Sequence, residues 1–185
     1  MPYFDKVIEY VIISHPDKDH FVGVIEILKR YKVENVIVNG DTSEIPEYQE
    51  FLTLAKDKII EAKDNNFLKF LQAGGNSDDA NQNSLVFKFI YNNKSILFTG
   101  DAPIEIETKL LDKDLESNIL KLGHHGSKTS SSLEFLKQVA PDLAVISVGI
   151  DNKYGHPSYK IIKRLEGLNI KYLRTDELGD IEIKL

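Results

Sequence analysis

Residues 14–20, Ser-His-Pro-Asp-Lys-Asp-His, set two imidazoles and two carboxylates, His15, Asp17, Asp19 and His20, within six consecutive positions. The apolar run before them, Val7 to Ile13, predicts a short buried strand. The run after them, Phe21 to Lys32, predicts a helix, because Phe21, Val24, Ile25, Leu28 and Tyr31 recur at helical spacing. A strand-to-helix turn curves the backbone so that alternate side chains converge. Nitrogen and oxygen donors brought together in this way suit one or two divalent cations. His and Asp are ordinary loop residues too, but this density of ligand-type side chains separates the turn from a solvated loop.

The remaining histidines follow the same placement. The chain holds five: His15 and His20, then His124 and His125 in Gly-His-His-Gly, and His156 in Tyr-Gly-His-Pro. Each stands where an apolar run meets a Gly- or Pro-marked turn, whereas a structural core histidine sits more often inside an apolar periodic segment.

At 185 residues with 42% apolar content, the chain is long enough for one domain, residues 1–185, with its own core. No apolar run approaches the roughly 20 residues that span a bilayer. Met1-Pro-Tyr-Phe-Asp-Lys6 has neither the pattern of a signal peptide nor that of a basic transit segment. With no cysteine, disulfides and cysteine–zinc sites are excluded, and the compartment stays open. The formal net charge of −6 argues against broad, backbone-driven nucleic-acid binding. Several of the acids are candidate metal ligands, however, and two bound divalent ions return about four charges. Lys128, Lys153, Lys160, Lys163 and Arg164 lie in the C-terminal third; they read either as a positive rim for a phosphate-bearing substrate or as solvated helix faces.

Along the chain, Val33 to Val38 predicts a second strand ending at Asn39-Gly40, and Pro46 to Asn65 an amphipathic helix. Residues 66–72 fit a strand or a helix end, and 73–83 a polar loop. Residues 84–91 and 94–99 around Asn92-Asn93 predict a β-hairpin with a tight turn. Helices are expected over 103–112, 131–139 and 158–168, with Pro103 at a first helical position and Ser158 as an N-cap. Strands are expected at 119–122, 143–148, 170–174 and 180–184. Alternating strands and helices with an embedded hairpin indicate a mixed α/β layered fold. Ser130 to Ser132 read as helix-capping residues rather than nucleophiles.

Four segments then share one arrangement, an apolar strand ending in a polar turn that bears ligand-type side chains. They are 14–20, Thr99-Gly100-Asp101, Gly123 to Ser127 and Tyr154 to Pro157. If their strands lie side by side, all four turns open on one sheet edge, where open α/β sheets place their ligands.

In this order the motifs resemble those of metallo-β-lactamase-fold hydrolases, and within them the C-terminal domain of the ComEC/Rec2 DNA-uptake proteins and its stand-alone relatives. His15, Asp17, Asp19 and His20 match His-x-(His/Asp)-x-Asp-His; Asn81, Ser84, Leu85 and Val86 match Asn-x-x-Ser-Leu-Val. Phe98 to Asp101 match Leu/Phe-Thr-Gly-Asp, and the His-His-Gly-Ser and Asn-x-Tyr-Gly-His-Pro motifs begin at His124 and Asn152. The resemblance covers essentially the whole chain and implies an αββα sandwich of mixed sheets. It also implies two divalent metal ions, zinc foremost, with His15 and Asp17 on one, Asp19 and His20 on the other, and Asp101 bridging both. One of the Gly-His-His-Gly pair completes the second site: His124 is favoured by its strand-to-turn position, with His125 close behind. The other contacts substrate or donates a proton.

The histidine that the wider superfamily carries between the first and fourth motifs is absent, and Asn81 stands near its place. Amide oxygen is a weaker ligand than imidazole, which leaves room for a harder ion such as manganese. Relatives also carry further N-terminal strands with an Asp-x-Gly turn, whereas here the first strand begins at Val7. The expectation is therefore an N-terminally truncated domain with an exposed sheet edge through which copies pair as a homo-oligomer.

The activity implied is hydrolysis by a hydroxide held between two metals, acting on a phosphodiester such as single-stranded DNA. Asp19, His125 and His156 are the candidate catalytic residues, and Asn81, Ser127, Lys128 and His156 the candidate substrate-binding residues. Two other readings stand beside it. One is hydrolysis of a non-phosphate ester or amide, although Asp17 and Asp101 replace the His and Cys of true metallo-β-lactamases. The other is a non-catalytic, metal-stabilised module in DNA uptake or assembly.

Overall fold

In the computed structural model, which describes residues 6–185, the apolar side chains collect on three faces of two sheets. The stretch Met1 to Asp5, and its reading as neither signal nor transit segment, lies outside the described residues. β1 (Val7–Ile12) pairs in parallel with β2 (Lys32–Ile37), and β2 in parallel with β3 (Ile59–Ile60). The second sheet has six strands in sequence order. β4 (Leu68–Ala73), β5 (Leu85–Tyr91) and β6 (Lys94–Phe98) run antiparallel. β7 (Ile119–Lys121), β8 (Leu143–Ile146) and β9 (Lys171–Arg174) then continue it in parallel.

The period of two along a strand assigns the faces. On β1, Tyr10 and Ile12 join the core between the sheets; Val11 turns the other way. On β5, Leu85, Phe87 and Phe89 enter the inter-sheet core while Val86 faces the helices behind. α1 (Lys18–Arg30) and α2 (Pro46–Ala55) cover the outer face of the small sheet through Phe21, Ile25, Tyr48 and Phe51. Truncating a fully buried ring such as Phe21 or Phe51 to alanine costs about 3–5 kcal/mol. α3 (Ile104–Lys109), α4 (Leu133–Val139) and α5 (Tyr159–Gly167) cover the outer face of the large sheet through Ile106, Phe135, Leu136, Ile161 and Leu165. The layers are therefore helix, sheet, sheet, helix, an αββα sandwich of mixed sheets.

The hairpin forms as the Asn-Asn pair predicts: Asn92 and Asn93 both have positive φ, 48° and 59°, the geometry of a primed two-residue turn. Two expectations are corrected and one open reading is decided. The helix expected to Asn65 stops at Ala55; Ile59 and Ile60 continue its helical spacing by coincidence and, as β-branched residues, pair with β2 instead. Of the two readings of residues 66–72, the strand holds, as β4 over Leu68–Ala73. No strand forms over 180–184 among the described residues: the Thr175 hydroxyl donates to Val148 O at 2.8 Å, and the chain turns away from β9 into α6 (Thr175–Leu178). Ser132 caps α4 as expected, its hydroxyl accepting from Phe135 N at 3.2 Å.

Candidate metal centre

The four ligand-bearing turns do not share a single sheet edge. Three follow the neighbouring strands β6, β7 and β8 of the large sheet; the fourth, residues 14–20, follows β1 of the small sheet. They meet because the sheets are pinned together here: Leu85 N donates to Ser14 O at 2.9 Å. Gly100 makes the approach close enough. Its φ is +53°, and a Cβ at that position would stand 2.7 Å from the Cβ of Ser14 and 2.9 Å from that of Ser84.

The resulting cluster centres on Asp101, which is buried. One carboxylate oxygen lies 3.3 Å from His20 Nε2, and the other 3.7 Å from both His124 Nε2 and His125 Nε2. Asp19 Oδ2 lies 3.2 Å from His125 Nε2 and 3.8 Å from His20 Nε2. Asp17, at the N-cap of α1, makes no capping bond; its carboxylate instead approaches His15 Nε2 at 3.5 Å. A residue in the preferred position for helix capping is thus turned to the cluster.

Electrostatics keep the donors in the states that bind cations. Burial pushes the Asp101 carboxyl up, but the close His20 imidazole, with His125 and His124 behind it, more than reverses this and holds it below the usual carboxylate range. Burial lowers His15, with His20 adding to the effect, so its imidazole favours the neutral ligand form. His156 is likewise lowered, by burial first and then by His124 and His125.

Hydroxyls and carbonyls behind the donors aim them. Ser14 Oγ lies 3.0 Å from His15 Nδ1 and 3.3 Å from His20 Nδ1, which leaves both Nε2 atoms to the cluster. His125 Nδ1 lies 2.7 Å from Ser147 O; a carbonyl only accepts, so Nδ1 donates to it, and Nε2 faces Asp19 and His20. The Ser84 hydroxyl accepts from Asp101 N at 3.1 Å. His124 and His125 themselves sit at φ 49° and 52°, the left-handed region that non-glycine residues occupy at a cost and that clusters at functional sites.

These residues fit divalent cations. Two groups of donor atoms, His15 with His20 and Asp101, and Asp19 with His20 and His125, each lie within 4.8 Å of one another. Buried His15 Nε2 and Asp101 Oδ1 lack hydrogen-bond partners among the described residues, which is costly unless something else satisfies them. Nε2 of His20 and of His125 stand only 3.3 Å apart, a pairing that a shared positive centre relieves.

Among the sequence-derived candidates, His15, Asp17, Asp19, His20, Asp101, His124, His125 and His156 all come together. The close donor groups take in His125, held by the Ser147 carbonyl; His124, whose Nδ1 lies 3.3 Å from the Thr129 hydroxyl, places its Nε2 equally near Asp101, at 3.7 Å. A cleft of about 570 Å³ opens over the cluster, with Asp17, Asp19, Asp101, His124, His125 and His156 in its wall, a size suited to a small ligand. Asn81 is set apart: it lines a neighbouring depression with His124 and Thr129, and its Oδ1 has no hydrogen-bond partner among the described residues. Ser127 and Lys128 do not line the cleft; Ser127 is buried, its hydroxyl 2.9 Å from that of Thr129, and Lys128 is exposed. Sequence reasoning passed over Ser14 and Ser84, although both lie inside or beside the quoted motifs, and also Tyr154 and Asn152 in the cleft wall.

Comparison with known proteins agrees with the geometry. The family described as the metallo-beta-lactamase superfamily matches residues 4–150. The chain is 32% identical to ComE operon protein 3 of Bacillus subtilis over 97% of this chain and 25% of that protein. It is 31% identical to Recombination protein 2 of Haemophilus influenzae, over 99% of this chain and 23% of the relative. With Competence protein ComA of Neisseria gonorrhoeae it shares 33% identity over 96% of this chain and 25% of the relative. The chain thus spans about a quarter of the length of the curated relatives it matches. Among solved structures, a variant of the CmlA β-hydroxylase aligns with TM-score 0.59 and 13% identity over 92% of this chain and 44% of the other. A Parabacteroides distasonis protein assigned to the metal-dependent hydrolases aligns with TM-score 0.59 and 15% identity over 94% and 78%. At these identities the two structures speak for the fold alone. No described helix is long and apolar enough to cross a membrane.

Proposed function

Because the chain belongs to the metallo-β-lactamase superfamily, whose fold carries divalent-metal sites, we propose that it is a metal-dependent phosphodiesterase working with two cations on nucleic acid. The observation that carries this reading is the convergence of His15, His20, His125 and Asp19 on one buried carboxylate, Asp101, with donor atoms left unpartnered. His15, Asp17 and Asp101 would hold one ion, and Asp19, His20 and His125 the other, with His20 and Asp101 lying between them. Such a pair supplies Lewis acidity and lowers the pKa of water towards neutrality.

The chain's own residues do the rest. Asp101, kept ionised, offers two oxygens and so could serve two ions, which a neutral imidazole cannot do. Asp19, exposed at the first turn of α1, orients the attacking water and accepts its proton. Neutral His156 and the His124 ring, whose centroids are 6.0 Å apart, would donate to the charge building on the phosphoryl oxygens. The choice of DNA follows from the relatives, two of which are named for competence or recombination and one for the ComE operon. Those same names support a second reading, a metal-stabilised module of a DNA-uptake assembly that cuts nothing.

The test is hydrolysis of single-stranded DNA and of bis(p-nitrophenyl) phosphate by the full chain loaded with zinc or manganese. Turnover that disappears in Asp101→Ala supports the enzyme. Metal retention with neither substrate cleaved favours the module.

A further inference from the structure

The loop after β8 forms one wall of the cleft and puts Tyr154 there with 71% of its surface exposed. Such a ring buries too little to help the fold, yet it is held in place. Asn152 staples the loop: its Nδ2 donates to Gly149 O at 3.0 Å and to His156 O at 2.8 Å, while its Oδ1 accepts from His156 N at 2.8 Å. The Tyr154 ring lies nearly parallel to that of His156, at 22° with centroids 5.8 Å apart. Two ring contacts, Tyr154 to His156 and His156 to His124, lead from it to Asp101. Lys153 Nζ lies over the Tyr154 ring, 5.3 Å from its centroid, and its side chain is exposed, so that a base stacking there takes the place of the ammonium. A planar, rigid, solvent-facing ring with an adjoining cation, beside a centre that handles phosphoesters, matches one ligand chemistry: an aromatic heterocycle bearing a phosphate.

We propose that Tyr154 is a base-stacking platform and Lys153 its phosphate contact, so that the cleft takes single-stranded nucleic acid with an unstacked base on Tyr154. The proposal rests on the phosphodiesterase reading and narrows its substrate class. Charge supports the assignment by elimination. At net −6, with Asp17 and Asp19 in the cleft, this chain gains little from the backbone attraction that drives duplex binding. Stacking supplies affinity that does not depend on net charge, and only a single strand exposes base faces to it.

The experiment compares binding of a short labelled oligothymidylate with that of an abasic deoxyribose-phosphate strand of equal length, using the full chain loaded with zinc or manganese and fluorescence anisotropy. The expected result is a clear preference for oligothymidylate. Tyr154→Ala should weaken that strand about 5- to 150-fold and the abasic strand far less, while Tyr154→Phe keeps the preference. Equal affinity for the two strands, no binding of oligothymidylate, or an equal loss on both in Tyr154→Ala overturns the platform. Turnover of bis(p-nitrophenyl) phosphate, measured on the same preparations, reports on the hydrolase reading separately. Turnover without base preference removes the platform alone, and base preference without turnover removes the hydrolase alone.

Discussion

The two sides of the metal centre are built on opposite principles. One side, His15 and Asp101 with Ser84 behind them, is buried and locked where the two sheets touch at Gly100. The other, Asp17 and Asp19 at the start of α1, leaves 52% and 64% of its side chains in solvent. A buried carboxylate whose charge is maintained by imidazoles has few alternatives to a cation, whereas an exposed one is already satisfied by water. On the proposed reading, the buried side would set whether metal binds, and the exposed side would tune what the bound metal does.

This contrast orders the expected effects. Asp101→Ala removes the carboxylate proposed to serve both ions and should cost activity about a thousandfold or more, read as kcat/KM with the metal content measured in parallel. Asp17→Asn, on the exposed side, should cost far less, and an equal loss would break the distinction. Gly100→Ala should come next. Its Cβ meets Ser14 and Ser84 at a left-handed φ, so the sheets must separate, at about 1–3 kcal/mol. Thermal unfolding of the metal-free chain should show a Tm lower by roughly 2–10 °C. Ser14→Ala leaves every ligand in place but frees the His15 and His20 rings to rotate. It should weaken metal binding about 10- to 100-fold by titration, with the Tm of the metal-free chain little changed.

The smallest effect lies behind the Gly-His-His-Gly turn. Buried Glu107 accepts from Ser132 N at 2.8 Å and from Ser131 N at the start of α4, and Arg164 Nη1 donates to Ser131 O at 2.7 Å. Burial raises the Glu107 carboxyl above its ordinary 4.5 in spite of these donors. The folded chain then binds more protons than the unfolded one in the window above 4.5, so stability falls as pH rises through the raised value. Glu107→Gln should flatten that slope in denaturant titrations across the window, and an unchanged slope would assign it to other groups.

The candidate ligands were legible because imidazole and carboxylate at strand ends have few structural uses, and the five histidines all stand at such ends. The hairpin was legible because Asn92 and Asn93 tolerate left-handed backbone. What stayed hidden depends on contacts across the sandwich. Nothing in the local pattern says that β1 leaves the sheet of β6 to β8, so one shared edge was expected where two sheets meet. What distinguishes His125 from His124 in the fold is its contact with the Ser147 carbonyl, 22 residues away in the chain. Ile59 and Ile60 mimic a helix face until β2 offers them an edge.

The most direct test of a two-cation centre built on Asp101 is elemental analysis of the full chain purified without chelator, beside Asp101→Ala. Two equivalents of divalent metal per chain, lost in the variant, are expected. One equivalent or none in the parent chain, or two retained in Asp101→Ala, would contradict it.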